Sequence, residues 1–289
     1  MTDRSRLPSI DGNILEGVSA TTLWTLHNRG TEAKHSDGVI RDPWAVTVFD
    51  AISYDYLKFG KPNQSHALRA CSFDAAAHDY LAAHPKAAVV ALAEGLQTSL
   101  WRLDRAGVAD QLTWYSVDLP PVIGLRELLL PPDERIVALP QSALERSWMD
   151  RVDATDGVFI TAEGLLMYLD PDDALALIRD CATRFPGGRM MFDSIPHWFS
   201  RRTLKGLKLS ARYTLPPMPF SMTADEGVVL ADRIPAVRTA RDVPLRPGRG
   251  AFKVMAWPPL DGIRIFHRIR PSMTLLEFGP RLGTALLGG

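Results

Sequence analysis

The sequence predicts an α/β fold built on a doubly wound, mostly parallel sheet of seven strands. From residue 87 onward, short apolar runs alternate with stretches of helical periodicity. Strands separated by helices of about ten residues or more indicate βαβ units with right-handed connections. A chain of 289 residues, of which 46% are hydrophobic, can bury a core on both faces of such a sheet.

The first 84 residues are predicted to form a helical cap outside the sheet. Three segments in this region carry apolar residues at helical spacing. Pro43 lies in the first turn of the second segment, and Pro85 ends the third. The segments are "SATTLWTLHNRGTEAKHSDG" (19–38), "DPWAVTVFDAI" (42–52) and "SHALRACSFDAAAHDYLAAHP" (65–85).

Five buried strands are predicted to follow the cap. They are "AAVVALA" (87–93), "WYSVDLP" (114–120), "RIVALP" (135–140), "DGVFITAEG" (156–164) and "GRMMFDSIP" (188–196). Amphipathic helices are predicted to connect them, at "SLWRLDRAG" (99–107), "PVIGLRELL" (121–129) and "DPDDALALIRDCATRF" (170–185). Together these segments predict the parallel core of the sheet.

The pattern after residue 195 predicts a basic helix at 198–213 and a proline-rich loop at 214–222. Two closing strands are predicted at 236–243 and 272–278, with helical segments at 250–257 and 261–269 between them. We interpret the chain as one domain. Its parts are a cap (1–84), a ligand-binding core (85–195), a lid insertion (196–235) and a closing region (236–289).

The composition excludes several classes of protein. Lys and Arg balance Asp and Glu at 33 each, so no overall charge draws the chain to nucleic acid. Two cysteines without metal-ligand spacing argue against a disulfide framework and predict no metal site. No run of 18 apolar residues is present to span a membrane, and the polar start lacks a secretory signal pattern. We therefore expect a cytoplasmic protein.

The turn after the first strand, "AEGLQT" (93–98), is where a nucleotide would lie in an open parallel sheet. Gly95 removes a side chain there, so that a ligand can approach the backbone. Asp118, which follows at the end of the second strand, has the spacing of a ribose-binding carboxylate. The turn lacks the further glycines that cradle a pyrophosphate, which disfavours a dinucleotide. A plain strand-to-helix corner is the alternative interpretation.

Several stretches resemble the leucine carboxyl methyltransferase-like family of class I S-adenosylmethionine-dependent methyltransferases, and within it the polyketide O-methyltransferases of the tetracenomycin type. The resemblance runs from Arg29 to Phe278. It implies a Rossmann-like sheet and S-adenosylmethionine as cofactor. The stretches that carry it are "NRGTEA", "DGVIRDPWA", "ALRACSFD", "VVALAEGLQTSLWRLD", "VDLPPVIGLRELLLP" and "AEGLLMYLDPDD".

The resemblance also implies roles for individual residues. Arg69 would pair with the methionine carboxylate of the cofactor, Asp118 would bind both ribose hydroxyls, and Glu163 would meet the amino-acid end. The loop after the third strand would border the adenine. The cofactor-binding residues implied are Arg69, Glu94, Gly95, Asp118, Leu119, Ala143, Leu144, Glu163 and Gly164.

The glycine loop departs from the family pattern of two glycines followed by an aspartate. Ala93 and Gln97 stand at two of these positions, and Ala143 stands where an acidic residue commonly faces the adenine amino group. Because Arg69, Asp118 and Glu163 are retained, the loop is interpreted as a working variant. These retained groups supply charge-assisted hydrogen bonds, which are the stronger class.

The acceptor site is predicted from aromatic residues near the fourth and fifth strands. His197 is the candidate catalytic base, and Tyr168, Trp198, Tyr213 and Phe220 are the candidate substrate-binding residues. They predict an apolar, ring-rich acceptor beneath the lid. The basic residues of the predicted helix at 198–213 either attract an anionic acceptor or form a solvated face: Arg201, Arg202, Lys205, Lys208 and Arg212.

The predicted function is an O-methyltransferase that transfers a methyl group to a hydroxyl or carboxyl of a small polyketide-like or aromatic metabolite. The alternatives are a non-catalytic scaffold with the same fold, a nicotinamide dehydrogenase, and an enzyme that methylates the C-terminal carboxyl of a protein. We expect a small-molecule acceptor as partner and neither nucleic acid nor membrane. A homodimer is one assembly that the sequence allows.

Overall fold

The computed structural model describes residues 9–255 and 264–280. Its centre is a seven-stranded sheet, as predicted. The strands are β1 (Ala88–Leu92), β2 (Thr113–Asp118), β3 (Ile136–Pro140), β4 (Val158–Ala162), β5 (Arg189–Ser194), β6 (Val237–Asp242) and β7 (Ser272–Phe278). All seven coincide with predicted strands to within a few residues.

The strand order in the sheet is β6-β7-β5-β4-β1-β2-β3. The five strands β1 to β5 are parallel, whereas β7 runs antiparallel between β5 and β6. Because β1 lies between β2 and β4, the direction of winding reverses at β1. Ligands of open α/β sheets bind beyond the carboxyl ends of the strands at this point.

Helices cover both faces of the sheet. They are α1 (Thr21–Lys34), α2 (Pro43–Ala51), α3 (Ser65–Ala83), α4 (Ser99–Arg105), α5 (Pro120–Leu129), α6 (Pro171–Arg184), α7 (His197–Thr203), α8 (Ala224–Val228), α9 (Leu230–Arg233), α10 (Ala251–Met255) and α11 (Arg264–Ile269). Short 3-10 turns lie at Gly12–Ile14, Tyr56–Phe59, Arg146–Arg151 and Leu166–Tyr168.

The core divides between the two faces, as the alternation of side chains along a strand requires. Val89 and Ala91 of β1 pack into one cluster, together with residues of α1, α3, α4 and α5. Ala88, Val90 and Leu92 of the same strand pack into the other cluster, together with residues of α6. Every residue of β1 is buried, which explains its continuous apolar sequence.

Helices α1, α2 and α3 and the segments between them precede β1 and are called the cap. Asp42 begins α2 by accepting a hydrogen bond from the Ala45 N–H (2.9 Å), with Pro43 in the first turn. The buried Arg29 of α1 pairs with the same Asp42 and also donates to the Leu96 carbonyl. The cap is thereby bonded to the loop that follows β1.

The predicted basic helix at 198–213 is wrong beyond its first turns. Helix α7 ends at Thr203, and Gly206 adopts a left-handed backbone conformation (φ +78°) that a continuing helix cannot contain. Two short antiparallel strands follow, at Lys208–Ser210 and Tyr213–Thr214. The basic residues therefore do not share one helical face, and Arg212 pairs with Asp55 of the cap.

The helices predicted at 250–257 and 261–269 are present at Ala251–Met255 and Arg264–Ile269. The remaining parts of those two predictions lie at 256–263, outside the described residues. Among the helices of the described part of the chain, none has the length and apolar character needed to cross a membrane.

Candidate active site

A cavity of about 600 Å³ opens at the carboxyl ends of the parallel strands. Small-molecule sites commonly have volumes of this order. The ends of β1 to β5 form its floor, and α1, α3 and the segment after β5 contribute its walls. Eleven of the residues proposed from the sequence line it: Arg69, Glu94, Gly95, Asp118, Leu119, Ala143, Leu144, Glu163, Gly164, Tyr168 and Trp198.

Arg69 of α3 lies between two carboxylates at one end of the cavity. Its Nε donates to Glu163 Oε1 (3.0 Å) and its Nη1 donates to Asp193 Oδ2 (2.9 Å). Burial alone would lower the pKa of Arg69, but Asp193 and Glu163 raise the pKa above its usual range. The three groups together carry a formal charge of −1, which suits a ligand that bears both an ammonium and a carboxylate.

Asp193 is a site residue that the sequence reasoning missed. It is the second-last residue of β5, and its Oδ1 accepts the Gly164 N–H (2.6 Å) while its Oδ2 binds Arg69. The available signal was its position, because a carboxylate at the carboxyl end of a central parallel strand faces the ligand edge. Gly164 has φ +71°, and a Cβ there would lie 3.2 Å from Arg69 Nη2. The glycine thus leaves room for the guanidinium.

Gln97 connects the glycine loop to this cluster. Its amide nitrogen donates to both oxygens of Glu163, at 2.7 and 2.8 Å, and its Oε1 accepts from Arg102 (3.3 Å). The aspartate common in the family would bring a further negative charge beside Glu163. The glutamine supplies N–H donors instead, and these satisfy the carboxylate of Glu163.

Asp118 lies at the other end of the same loop. Its Oδ2 accepts the Gly95 N–H (2.6 Å) and its Oδ1 accepts the Leu119 N–H (2.7 Å). Burial raises the pKa of Asp118 above its usual value, and the two amide hydrogen bonds oppose that rise. Each carboxylate oxygen has a further lone pair, so Asp118 can accept two more hydrogen bonds from a ligand.

The absence of a side chain at Gly95 is needed for packing against the cap. Its backbone is left-handed (φ +59°), and a Cβ there would collide with Thr22 Oγ1 of α1. Thr22 Oγ1 accepts the hydrogen bond of the Leu96 N–H (2.8 Å). The glycine therefore lets the loop pack against the cap, which the prediction of a ligand-facing glycine did not anticipate.

Glu94 borders the cavity, but its hydrogen bonds run beneath the loop. Its carboxylate accepts from Trp114 Nε1 (3.1 Å) and Ser116 Oγ (2.5 Å), and it pairs with Arg126 (2.8 Å). Burial raises the pKa of Glu94, against the lowering effect of Arg126. Arg126 also donates to the carbonyls of Gly95 and Gln97. This arrangement supports the loop from below, and the direct cofactor contact of Glu94 stays a prediction.

Ala93 begins the loop with a left-handed backbone (φ +49°), where the family commonly has glycine. This conformation destabilises the folded state by roughly 1–2 kcal/mol for an alanine. A glycine would avoid that strain, but it would also make the unfolded chain more flexible, which offsets part of the gain in stability. We expect Ala93→Gly to raise the free energy of unfolding by about 1 kcal/mol. Urea unfolding of both proteins measures the change, with Ala91→Gly in β1 as a control that should destabilise. If the Ala93→Gly protein were less stable than the wild type, the backbone of Ala93 would not be strained.

Three predicted acceptor residues do not line the cavity. His197 Nδ1 contacts Ser221 Oγ (2.8 Å) and its Nε2 pairs with Glu226 (2.8 Å), which directs the ring to α8. Phe220 is 3% exposed and packs into the core cluster of α6. Tyr213 packs edge-on against Phe59 of the cap (centroids 4.7 Å apart). The geometry therefore gives the prediction of His197 as a base no support.

The apolar wall of the cavity is formed by residues from several separate segments of the chain. Trp198 Nε1 donates to the Ile269 carbonyl (3.0 Å), which holds its ring at the cavity edge. Further apolar lining residues missed by the sequence reasoning are Trp24, Met167, Ile195, Leu245 and Phe252. No group of three metal-ligating side chains lies close enough together to hold an ion in the described ranges.

His66 of α3 is a second site residue that was not singled out from the sequence. It lines the cavity one helical turn from Arg69. Burial lowers its pKa well below the usual histidine value, and the charges of Arg69 and Arg29 add to this effect. The ring is therefore neutral in the folded protein.

Because His66 is neutral in the folded protein, we expect the free energy of unfolding to fall at acid pH. Below about pH 6.5 the unfolded chain protonates this ring while the folded chain does not, so stability is lost as the pH falls. The loss from His66 can reach at most about 1.4 kcal/mol per pH unit. We expect His66→Phe to show a shallower decline of unfolding free energy between about pH 7.5 and 5.5. Parallel declines for the two proteins, measured with urea, would contradict a neutral ring.

Known proteins resemble this chain in sequence and in fold. The sequence profile of the leucine carboxyl methyltransferase family matches residues 22–182, which include most of the cap, the glycine loop and the ends of β2 and β4. The chain belongs to this family. It is therefore a methyltransferase that uses a cofactor of the S-adenosylmethionine type.

A curated relative is the tetracenomycin polyketide synthesis O-methyltransferase TcmP of Streptomyces glaucescens. It is 30% identical over 227 residues, which cover 78% of this chain and 82% of the relative. A methyltransferase candidate of known structure from Thermobifida fusca YX superposes with a TM-score of 0.51 at 14% identity. That alignment covers 88% of this chain and 94% of the other, and it supports the fold.

Proposed function

We propose that this methyltransferase transfers a methyl group to an oxygen, hydroxyl or carboxyl, of a small ring-containing metabolite of polyketide type. The observation that carries the proposal is the convergence of three charged residues on one loop. Asp118 binds the Gly95 N–H, and Glu163, paired with Arg69, binds the Gln97 side chain. Both carboxylates thus lie beside the same three-residue stretch of chain.

The residues of the cavity fit an S-adenosylmethionine molecule. Arg69 would hold its carboxylate, and Glu163 and Asp193 would accept from its ammonium group. The free lone pairs of Asp118 would accept from the two ribose hydroxyls. The cavity lining after β2 and β3 includes Leu119, Val122, Ala143 and Leu144, whose apolar side chains suit the adenine.

When bound, the cofactor supplies a methyl group on a positively charged sulfur. Transfer of this group is an in-line displacement, so the protein mainly has to align the acceptor and exclude water. The indole and methionine side chains of Trp24, Trp198 and Met218 give the acceptor side an apolar surface. Such a wall favours an aromatic or polyketide-like acceptor. The name of the Streptomyces relative points to the same class of acceptor.

The first test is calorimetry with S-adenosylhomocysteine, the product form of the cofactor. We expect one binding event per chain. Absence of heat at millimolar ligand would favour the alternative of a non-catalytic scaffold.

A second test, with tritiated S-adenosylmethionine, distinguishes the acceptors. We expect the label to pass to hydroxylated or carboxylated polycyclic aromatics. Transfer confined to a peptide ending in leucine would point to protein carboxyl methylation.

A further inference from the structure

Gln97 lies in the loop between β1 and α4, and the chain on both sides of it is bonded to the cap. The Leu96 N–H donates to Thr22 Oγ1 (2.8 Å), and Thr98 Oγ1 donates to Asp42 Oδ2 (2.6 Å). Gln97 lines the cavity and is only 9% exposed. The backbone from which its side chain extends is therefore held in one position.

The amide of Gln97 joins a cation to an anion. Its Oε1 accepts from Arg102 Nη2 (3.3 Å), and its Nε2 donates to both oxygens of Glu163 (2.7 and 2.8 Å). A guanidinium can only donate hydrogen bonds and a carboxylate can only accept them, so the two partners fix the orientation of the amide. A glutamate at this position would serve only Arg102, a lysine would serve only Glu163, and a methionine would serve neither.

Arg102 is anchored by other residues, outside the described lining of the cavity. Its Nε donates to Asp74 Oδ2 (2.5 Å), and its Nη1 donates to Asp42 Oδ2 (2.6 Å). Arg29 also pairs with Asp42 (3.3 Å), so that the two guanidinium groups and the two carboxylates of this network balance in charge. Gln97 thus connects Glu163 to a buried network without adding a charge to the cavity.

Glu163 retains the capacity to bind one ligand donor. A carboxylate has about four lone-pair sites, and the hydrogen bonds from Arg69 Nε (3.0 Å) and from the Gln97 amide occupy three of them. Without Gln97, the hydrogen bond from Arg69 would remain, and the carboxylate could rotate about its last side-chain torsion, which has a broad energy minimum. Gln97 therefore determines how the remaining lone pair is oriented.

We propose that Gln97 is a positioning residue, which fixes the Glu163 carboxylate for the ammonium group of the cofactor. This inference rests on the proposed function and adds to it the residue that sets the preference for an α-amino group. The physical reason is preorganisation. A carboxylate that is already held in its binding orientation does not have to be ordered when the ligand arrives, so less binding free energy is lost.

The test compares S-adenosylhomocysteine with its desamino analogue, in which hydrogen replaces the amino group. The ratio of the two dissociation constants, measured by calorimetry, reports recognition of the ammonium group and cancels effects on the adenine and ribose. We expect the wild type to prefer S-adenosylhomocysteine about 100-fold, because Glu163 and Asp193 would each supply a charge-assisted hydrogen bond worth a factor of about ten.

Two variants remove the contact between Gln97 and Glu163. Gln97→Met keeps the length of the side chain but has no N–H donor, and Gln97→Asn keeps an amide that is one methylene shorter. In both we expect the preference to fall to about tenfold. Their affinity for the desamino analogue should match the wild type, which also shows that the proteins are folded.

A double-mutant cycle determines whether Gln97 acts through Glu163. Glu163→Gln should show a preference of about tenfold, because Asp193 remains. If Gln97 acts through Glu163, the double variant Gln97→Met, Glu163→Gln should keep this preference, whereas two independent contributions would leave none.

Gln64→Met is the matched control for the loss of a glutamine amide. Gln64 accepts the Arg249 N–H (2.7 Å) and is not among the described residues that line the cavity. We expect this variant to keep the wild-type preference for S-adenosylhomocysteine.

Three results would overturn the inference while leaving the proposed function intact. The first is a wild-type preference in Gln97→Met and Gln97→Asn. The second is the loss of all preference in the double variant, which would mean that Gln97 acts independently of Glu163. The third is a wild type that binds both ligands equally well. A wild type that binds no S-adenosylhomocysteine would instead overturn the proposed function and this inference together.

Discussion

Replacing Arg69 with methionine is expected to abolish S-adenosylmethionine binding and to lower the free energy of unfolding by about 3–5 kcal/mol. The guanidinium lies between Glu163 and Asp193, whose side chains are only 9% and 7% exposed. Removal of one partner from a buried ion pair leaves the remaining charges uncompensated. The same change removes the planar donor fork that would bind the cofactor carboxylate.

Two further proteins separate these effects. The triple variant Arg69→Met, Glu163→Gln, Asp193→Asn should regain stability, because the unpaired charges are gone, but it should not regain binding. Arg135→Met is the control, since Arg135 pairs with Asp133 and Asp104 away from the cavity. Urea unfolding and calorimetry with S-adenosylhomocysteine measure the two quantities. Wild-type affinity in Arg69→Met would contradict the role assigned to the cluster.

Replacing Asp118 with alanine is expected to weaken S-adenosylhomocysteine binding about 100-fold or more. Two hydrogen bonds from ribose hydroxyls to a carboxylate, at about 1.5 kcal/mol each or more, account for this factor. The variant also leaves the N–H groups of Gly95 and Leu119 without their acceptor, which loosens the loop.

A comparison of ligands isolates the ribose contribution from the effect on the loop. The wild type should bind adenosine more tightly than 2′,3′-dideoxyadenosine, and Asp118→Ala should bind the two equally. A preference that persists in the variant would assign the ribose hydroxyls to another group. Ser116→Ala on the same strand serves as the control, because its hydroxyl binds Glu94 beneath the loop. It should retain the preference for adenosine.

The order of the elements and the edge of the sheet that binds the ligand could be predicted from the sequence. Apolar strands alternate with amphipathic helices over short distances, and this local pattern is sufficient to indicate a parallel sheet. Arg69, Asp118 and Glu163 were found through motifs at fixed positions relative to these elements. The structure brings all three to one cavity, because strand ends and the cap helix α3 meet there.

Residues whose position depends on packing were predicted less well. His197 and Phe220 lie close in sequence to cavity residues, but their side chains turn to α8 and to the core. The spacing of the basic residues predicted a helix through residue 213, but α7 ends at Thr203 and Gly206 follows with a left-handed backbone. A sequence window cannot distinguish these outcomes, because a side chain at an irregular segment can point to either side of the chain.

The sequence by itself determined the fold class, the family and the three charged residues that mark the ligand edge, since each depends on local periodicity or on a contiguous motif. The tertiary structure alone decided that Asp193 and His66 belong to the site, that Gly95 accommodates Thr22, and that Gln97 bonds Glu163. These relations join segments far apart in the chain. The docking of α1 and α3 against the strand ends creates them, and no local pattern records that docking.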